Sequence, residues 1–247
     1  MTRSPLCWAI GLVLGLIPFP LYADSVTADL SSHAIAISTG FTGTSVVLFG
    51  ATDGPADIIA VIRGPDHEQT VWRKGKVAGL WTNAESVTFA NVPSFYLVAA
   101  SRPLEEIVST PEAVLHRIGV ANLKFEPKGA ATPERARVFA DALIEVQKRV
   151  GVFSPSHIKI SFLGDRLFRT TFTLPANTPT GSYLVEIFLL RDKEVVGGQT
   201  TPLIVSRVGV DATVFDFAQQ RALAYGAIAV LIAVMAGWLA SLPFRNA

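Results

Sequence analysis

The run Gly181-Ser182-Tyr183-Leu184-Val185-Glu186-Ile187-Phe188-Leu189-Leu190 decides how this chain is read. Tyr183, Val185, Ile187 and Leu189 alternate with Leu184, Glu186, Phe188 and Leu190, which is the period-two pattern of a β-strand. Pro175-Ala176-Asn177-Thr178-Pro179-Thr180 leads the chain into this strand, and Arg191-Asp192-Lys193-Glu194 turns it out again. Around it the same signal recurs at Ile158 to Leu163, Phe168 to Leu174, and Val195 to Val205, with a kink expected at Gly197-Gly198.

Further out, the stretch 24–102 holds short branched runs separated by turn residues. Ala34-Ile35-Ala36-Ile37, Val46-Val47-Leu48-Phe49 and Ile58-Ile59-Ala60-Val61-Ile62 are the clearest. Thr39-Gly40-Phe41-Thr42-Gly43-Thr44, Asp53-Gly54-Pro55 and Gly64-Pro65-Asp66 punctuate them. Thr70 to Arg73 and Val77 to Trp81 flank Lys74-Gly75-Lys76, which reads as a hairpin turn. Ser86 to Phe89 and Phe95 to Val98 complete a set of about seven strands, the spacing of a sandwich. The late turn, strand and hairpin resemble those of immunoglobulin-like modules. Between the two β-rich stretches, Thr132-Pro133-Glu134 is a helix start. Val138, Phe139, Ala142, Leu143, Val146 and Val150 then follow at helical spacing, and Gly151 ends the run.

The two termini are apolar. Arg3 precedes an uncharged run from Leu6 to Ile17, then Pro18, Pro20 and Tyr22-Ala23-Asp24, a secretory pattern with cleavage expected after Ala23. An uncleaved anchor is the alternative. Ala222 to Phe244 carries no charge and is bounded by Arg221 and Arg245, long enough for a transmembrane helix. The expected organisation is therefore a signal peptide at 1–23, sandwich strands at 24–102, a helical insertion at 103–151 and further strands at 152–210. A juxtamembrane linker at 211–221, a transmembrane helix at 222–244 and a cytoplasmic tail at 245–247 follow. The fold class is mainly β: an immunoglobulin-like β-sandwich ectodomain, one large or two small, with a helical insertion and one C-terminal transmembrane helix. The expected location is the inner membrane, single-pass, with the bulk of the chain in the periplasm.

Composition narrows the function. The 247 residues carry a net charge of +1 with 17% charged residues, so a nucleic-acid partner is not expected. The single cysteine, Cys7, lies in the leader, which removes a disulfide framework and a cysteine nucleophile from the processed chain. His33, His67, His116 and His157 are scattered without metal-ligand spacing. Ser156-His157-Ile158-Lys159 matches a Ser-x-x-Lys pattern, but it opens a strand and neither partner motif occurs. No P-loop, Gly-x-Ser-x-Gly or His-Glu-x-x-His is present. The chain is accordingly not expected to be an enzyme, and no cofactor or metal is expected.

Two candidate sites remain. Arg63, Arg73, Lys74 and Lys76 form a candidate anion-binding patch if neighbouring hairpins align. The threonine- and glycine-rich Thr39–Thr44 loop offers backbone amides to the same kind of ligand. In the C-terminal segment, Ala229, Ala233, Gly237 and Ser241 recur every four residues, a candidate helix-packing face for a membrane-protein partner or a second copy.

Ala28-Asp29-Leu30-Ser31, Thr39 to Thr44, Leu48-Phe49-Gly50-Ala51 and Val61-Ile62-Arg63-Gly64-Pro65 resemble a family of alphaproteobacterial transmembrane proteins of unassigned function. So do Ser101-Arg102-Pro103-Leu104, Leu174-Pro175-Ala176-Asn177 and Gly181-Ser182-Tyr183. The resemblance implies topology and origin, with no catalytic residues. The leading expectation is a periplasmic binding or accessory domain that assists a membrane transporter. The alternatives are a periplasmic enzyme with a site assembled from dispersed residues, or an envelope structural protein.

Overall fold

The computed structural model describes residues 25–77, 79–129, 131–209, 217–219 and 221–241. The expected signal peptide at 1–23, most of the linker at 211–216 and the tail at 245–247 lie outside the described residues. The described chain is β-rich with helical segments, and its strands form three sheets. The first runs β1 (Val26–Leu30), β3 (Gly43–Thr52), β11 (Leu167–Pro175), β10 (Ser161–Leu163), all antiparallel. The second runs β2 (Ala34–Ile37), β13 (Glu194–Arg207), β12 (Gly181–Arg191), β4 (Asp57–Arg63), β7 (Tyr96–Ala100), β9 (Ile158–Lys159). The third is the long hairpin β5 (Asp66–Val77) and β6 (Leu80–Pro93) with the short β8 (Glu126–Lys128).

Burial explains which runs became which strands. Ile58 through Ile62 are all buried, as a strand in the middle of a sheet with both faces covered must be. Phe168, Thr170, Phe172 and Leu174 of β11 alternate with exposed residues, so that strand has one wet face. Tyr183, Val185, Ile187 and Leu189 of β12 are fully buried, and Phe188 on the other face packs against the His116 ring at 5.0 Å. One hydrophobic cluster joins residues of all three sheets, with Phe95 against Tyr183 at 5.8 Å and Tyr96 against Phe153 at 6.0 Å.

The immunoglobulin-like reading is corrected. The six-stranded sheet is mixed, because β2 pairs parallel to β13 and β9 parallel to β7. The β5–β6 hairpin has left both larger sheets and built its own. Its turn is also displaced from the expected place. Lys74, Gly75 and Lys76 lie within β5, paired to Asn83, Thr82 and Trp81, and the chain reverses near Gly79, whose φ is 85°. That left-handed backbone suits glycine, whereas Lys74 and Lys76 have side chains to place on a pleat.

Residues 104–115 supply two short helices, α1 (Leu104–Ile107) and α2 (Thr110–Leu115). The longer α3 (Pro133–Val150) starts where Thr132 accepts the Arg135 N–H and stops at Gly151 with φ 85°. Only Phe139 and Leu143 of its apolar residues are buried, while Val138, Val146 and Val150 stay exposed. The helix touches the body along one i,i+4 line rather than a broad face.

The last helix, α4 (Ala222–Ser241), overturns the expected transmembrane element. Among the described residues, no helix is long and apolar enough to cross a membrane. The 23-residue span expected at 222–244 is therefore not found, and its last three positions lie outside the described residues. Single-pass inner-membrane anchoring and a partner or second copy held through that span are withdrawn with it. Ala229, Ala233 and Gly237 stand on α4 without a bilayer-spanning helix to serve, and nothing is described of the Ser241 side chain.

Candidate functional site: a cationic cleft at the hairpin root

Where β4 ends and β5 begins, the chain turns through Gly64 and Pro65. A Cβ on Gly64 would lie 2.4 Å from Ser94 Oγ and 2.9 Å from the Phe95 nitrogen, so only glycine lets the hairpin root come this close to the main sheet. The turn opens a cavity of about 220 Å³. Pro65, Pro93, Leu123, Phe125 and Leu184 give it apolar walls, and Arg63, Asp66, Asn91, Arg117, Lys124 and Ser182 bring polar groups to it.

Arg63 sits at the floor, about three-quarters buried. Its Nη1 is 2.6 Å from the Glu186 carboxylate on β12, and its Nη2 donates to the His116 carbonyl at 2.5 Å. Its Nε is buried and has no hydrogen-bond partner. A buried donor left unpaired is costly and marks a place where a binding group would be rewarded.

Arg117 and Lys124 form the rim, and neither side chain has an ion-pair partner among the described residues. Arg117 follows α2 with φ 52°, the left-handed position at which a helix usually ends on glycine. It is held there by Tyr96, whose hydroxyl donates to the Arg117 carbonyl and accepts the Gly119 N–H, both at 2.8 Å. Burial pushes the Tyr96 phenol up to about 12, and the nearby Arg63 charge only partly opposes this. Asn91, also left-handed at φ 46°, accepts the Glu126 N–H at 3.0 Å and so fixes the segment that carries Lys124. Two non-glycine residues in this backbone region flank one cavity, a form of strain that concentrates at working sites.

Of the expected anion patch, only Arg63 reaches the cleft. Arg73 pairs with Glu85 at 2.7 Å, about 23 Å of strand beyond Asp66. Lys74 and Lys76 stand on the other face of the hairpin from Arg73. The four cations therefore do not share a surface. The Thr39–Thr44 loop is a packed turn at Gly43, where a Cβ would lie 2.9 Å from the Leu174 carbonyl. Arg117, Lys124 and Asn91 carried no motif. The one legible trace was an arginine where the end of a short helix calls for glycine. Among the described residues no group of three His, Cys, Asp or Glu side chains could hold a metal. His33 pairs with Asp29 at 2.8 Å and His116 with Glu112 at 3.3 Å.

Fold and site together define a β-rich protein with a small cationic cleft gathered from distant segments of the chain. A family model described as "Putative transmembrane protein (Alph_Pro_TM)" matches residues 25–246, and the chain belongs to that family. The membrane-spanning topology in that description has no counterpart among the described residues, so it is not carried over to this chain. A comparison with curated proteins found no match.

Proposed function

We propose that the chain is a β-rich domain of the periplasmic type whose working part is the hairpin-root cleft. The site is assembled from dispersed residues and takes a small acidic ligand that also carries hydroxyl or amino groups. The observation that carries this reading is the meeting of Arg117 and Lys124, both without ion-pair partners, above the buried Arg63. An acid group on the ligand answers the two rim cations, while Asp66, Asn91 and Ser182 answer its hydroxyl or amino groups. A cavity of about 220 Å³ suits a molecule of a few carbon atoms. Export to the periplasm rests on the secretory pattern of residues 1–23.

Calorimetric titration of the full chain with malate, inorganic phosphate and glucose tests the reading. Saturable binding of an anion but not of glucose is expected, with at least tenfold weakening in Arg117→Ala and Lys124→Ala. Failure of both anions to bind at millimolar concentration, or equal affinity in both variants, would overturn it.

A further inference from the structure

A second surface lies on the β5–β6 hairpin. Side chains on a strand alternate between faces, and directly paired residues share a face. Trp72, Lys74 and Lys76 of β5 therefore lie together, and their partners across the ladder are Ser86, Asn83 and Trp81. Thr70 and Thr88 extend the same face toward the hairpin root, with their hydroxyls 2.9 Å apart. The bulge between Arg73 and Lys74 places the extra residue, Ala84, against Gly75 on the opposite face, so the pattern is not broken.

The chemistry of this face is unusual for an exposed strand. Trp72 is 56% and Trp81 67% exposed. The Lys76 ammonium stands 5.2 Å from the Trp81 ring centre, and neither Lys74 nor Lys76 has a carboxylate partner among the described residues. Glu85, the acidic residue between the two indoles, is on the other face and is taken up by Arg73 and Arg135. What is left between Trp72 and Trp81 is a flat strip of two indoles, two ammonium groups and neutral hydroxyl and amide groups, and the carboxylate at its root end, Glu68, is paired with Lys128.

We propose that this strip binds an acidic polysaccharide. Sugar rings present faces of C–H bonds that pack on indole, their hydroxyls pair with Thr70, Asn83, Ser86 and Thr88, and their acid groups are attracted to Lys74 and Lys76. The indoles stand about 13 Å apart along the strands, so an extended polymer can reach both where a single sugar cannot. A nucleic acid offers rings as well, but the net charge of +1 over the chain provides little of the wider positive field that such binders carry.

Affinity electrophoresis of the full chain in gels containing polygalacturonate or neutral dextran tests the proposal, with polyuridylate and phosphatidylglycerol vesicles as competitors. Retardation by polygalacturonate alone is expected. Trp72→Ala and Trp81→Ala should each weaken it about tenfold. The double change Lys74→Gln with Lys76→Gln should weaken it and flatten its dependence on salt. Arg117→Ala, in the cleft, should leave it unchanged. These positions are exposed, and an unchanged melting temperature verifies that each variant folds. No retardation by polygalacturonate, equal retardation of the indole variants, loss in Arg117→Ala, or stronger competition by polyuridylate or vesicles would each overturn it.

Discussion

The Tyr96 hydroxyl donates to the Arg117 carbonyl at 2.8 Å, tying the first residue of the buried strand β7 to the rim of the cleft. The same oxygen accepts from Gly119, so one phenol satisfies both ends of a strained loop. Tyr96→Phe keeps the ring packing on Phe153 but strands the Gly119 N–H and leaves the Arg117 carbonyl only a long contact of 3.4 Å from Arg63. It should destabilise the fold by about 1–3 kcal/mol in denaturant titration. It should also weaken anion binding although no cation has been removed. Unaltered affinity would show that Arg117 keeps its place without Tyr96.

Asp57 gives a pH signature. The hydrogen bond from Arg102 holds its carboxyl below the ordinary value of 3.8, helped by Ser101 at 2.8 Å and opposed by burial. A carboxyl whose folded-state value is lowered adds stability above its unfolded value and loses it as pH falls through the folded one. Because Arg102 is largely exposed, the contribution is discounted to about 1 kcal/mol or less. Asp57→Asn should therefore melt below the parent chain at neutral pH, and the gap should close as pH drops below 3.8. A gap that stays constant down to strongly acid pH would remove the ion pair from the account.

The C-terminal helix adds little to the folded body. Every described side chain from Ala222 to Trp238 is exposed, and none belongs to the hydrophobic core. A chain ending at Arg221 should keep its thermal midpoint to within about 2 °C, the shift expected for less than 1 kcal/mol. Differential scanning calorimetry checks this. A fall of more than about 5 °C would mean that α4 stabilises the sheets.

Strand character was largely readable from residues, because it is written locally. The all-buried Ile58–Ile62 run and the alternation of Tyr183 to Leu189 or Phe168 to Leu174 each declare a strand without reference to anything else. Strand partners were not readable. Gly50 meets Phe168 and Ala34 meets Ile204 across more than a hundred residues, and no local pattern encodes those pairings. The hairpin turn was misplaced because Lys74-Gly75-Lys76 looks polar enough for a turn, whereas the left-handed backbone is at Gly79. The cleft was the least legible part. Arg63 was picked out for its charge, but it matters for its place at the end of β4. Arg117 and Lys124 become neighbours of Arg63 only when the helical segment and the hairpin root close on each other.

The strand order of the six-stranded sheet has a temporal consequence. β12 and β13 are the middle of that sheet, lying between β2 and β4, yet they are the last of its strands in the chain. β3 likewise waits for β11. During synthesis from the N-terminus at about 5–20 residues per second, on the order of ten seconds pass between the appearance of β4 and that of β13. Throughout that interval Ile58 to Ile62 have β7 on one side and no β12 on the other. The bare edge of β4 is then open to mispairing, and the same interval is when the growing chain is most in need of a chaperone.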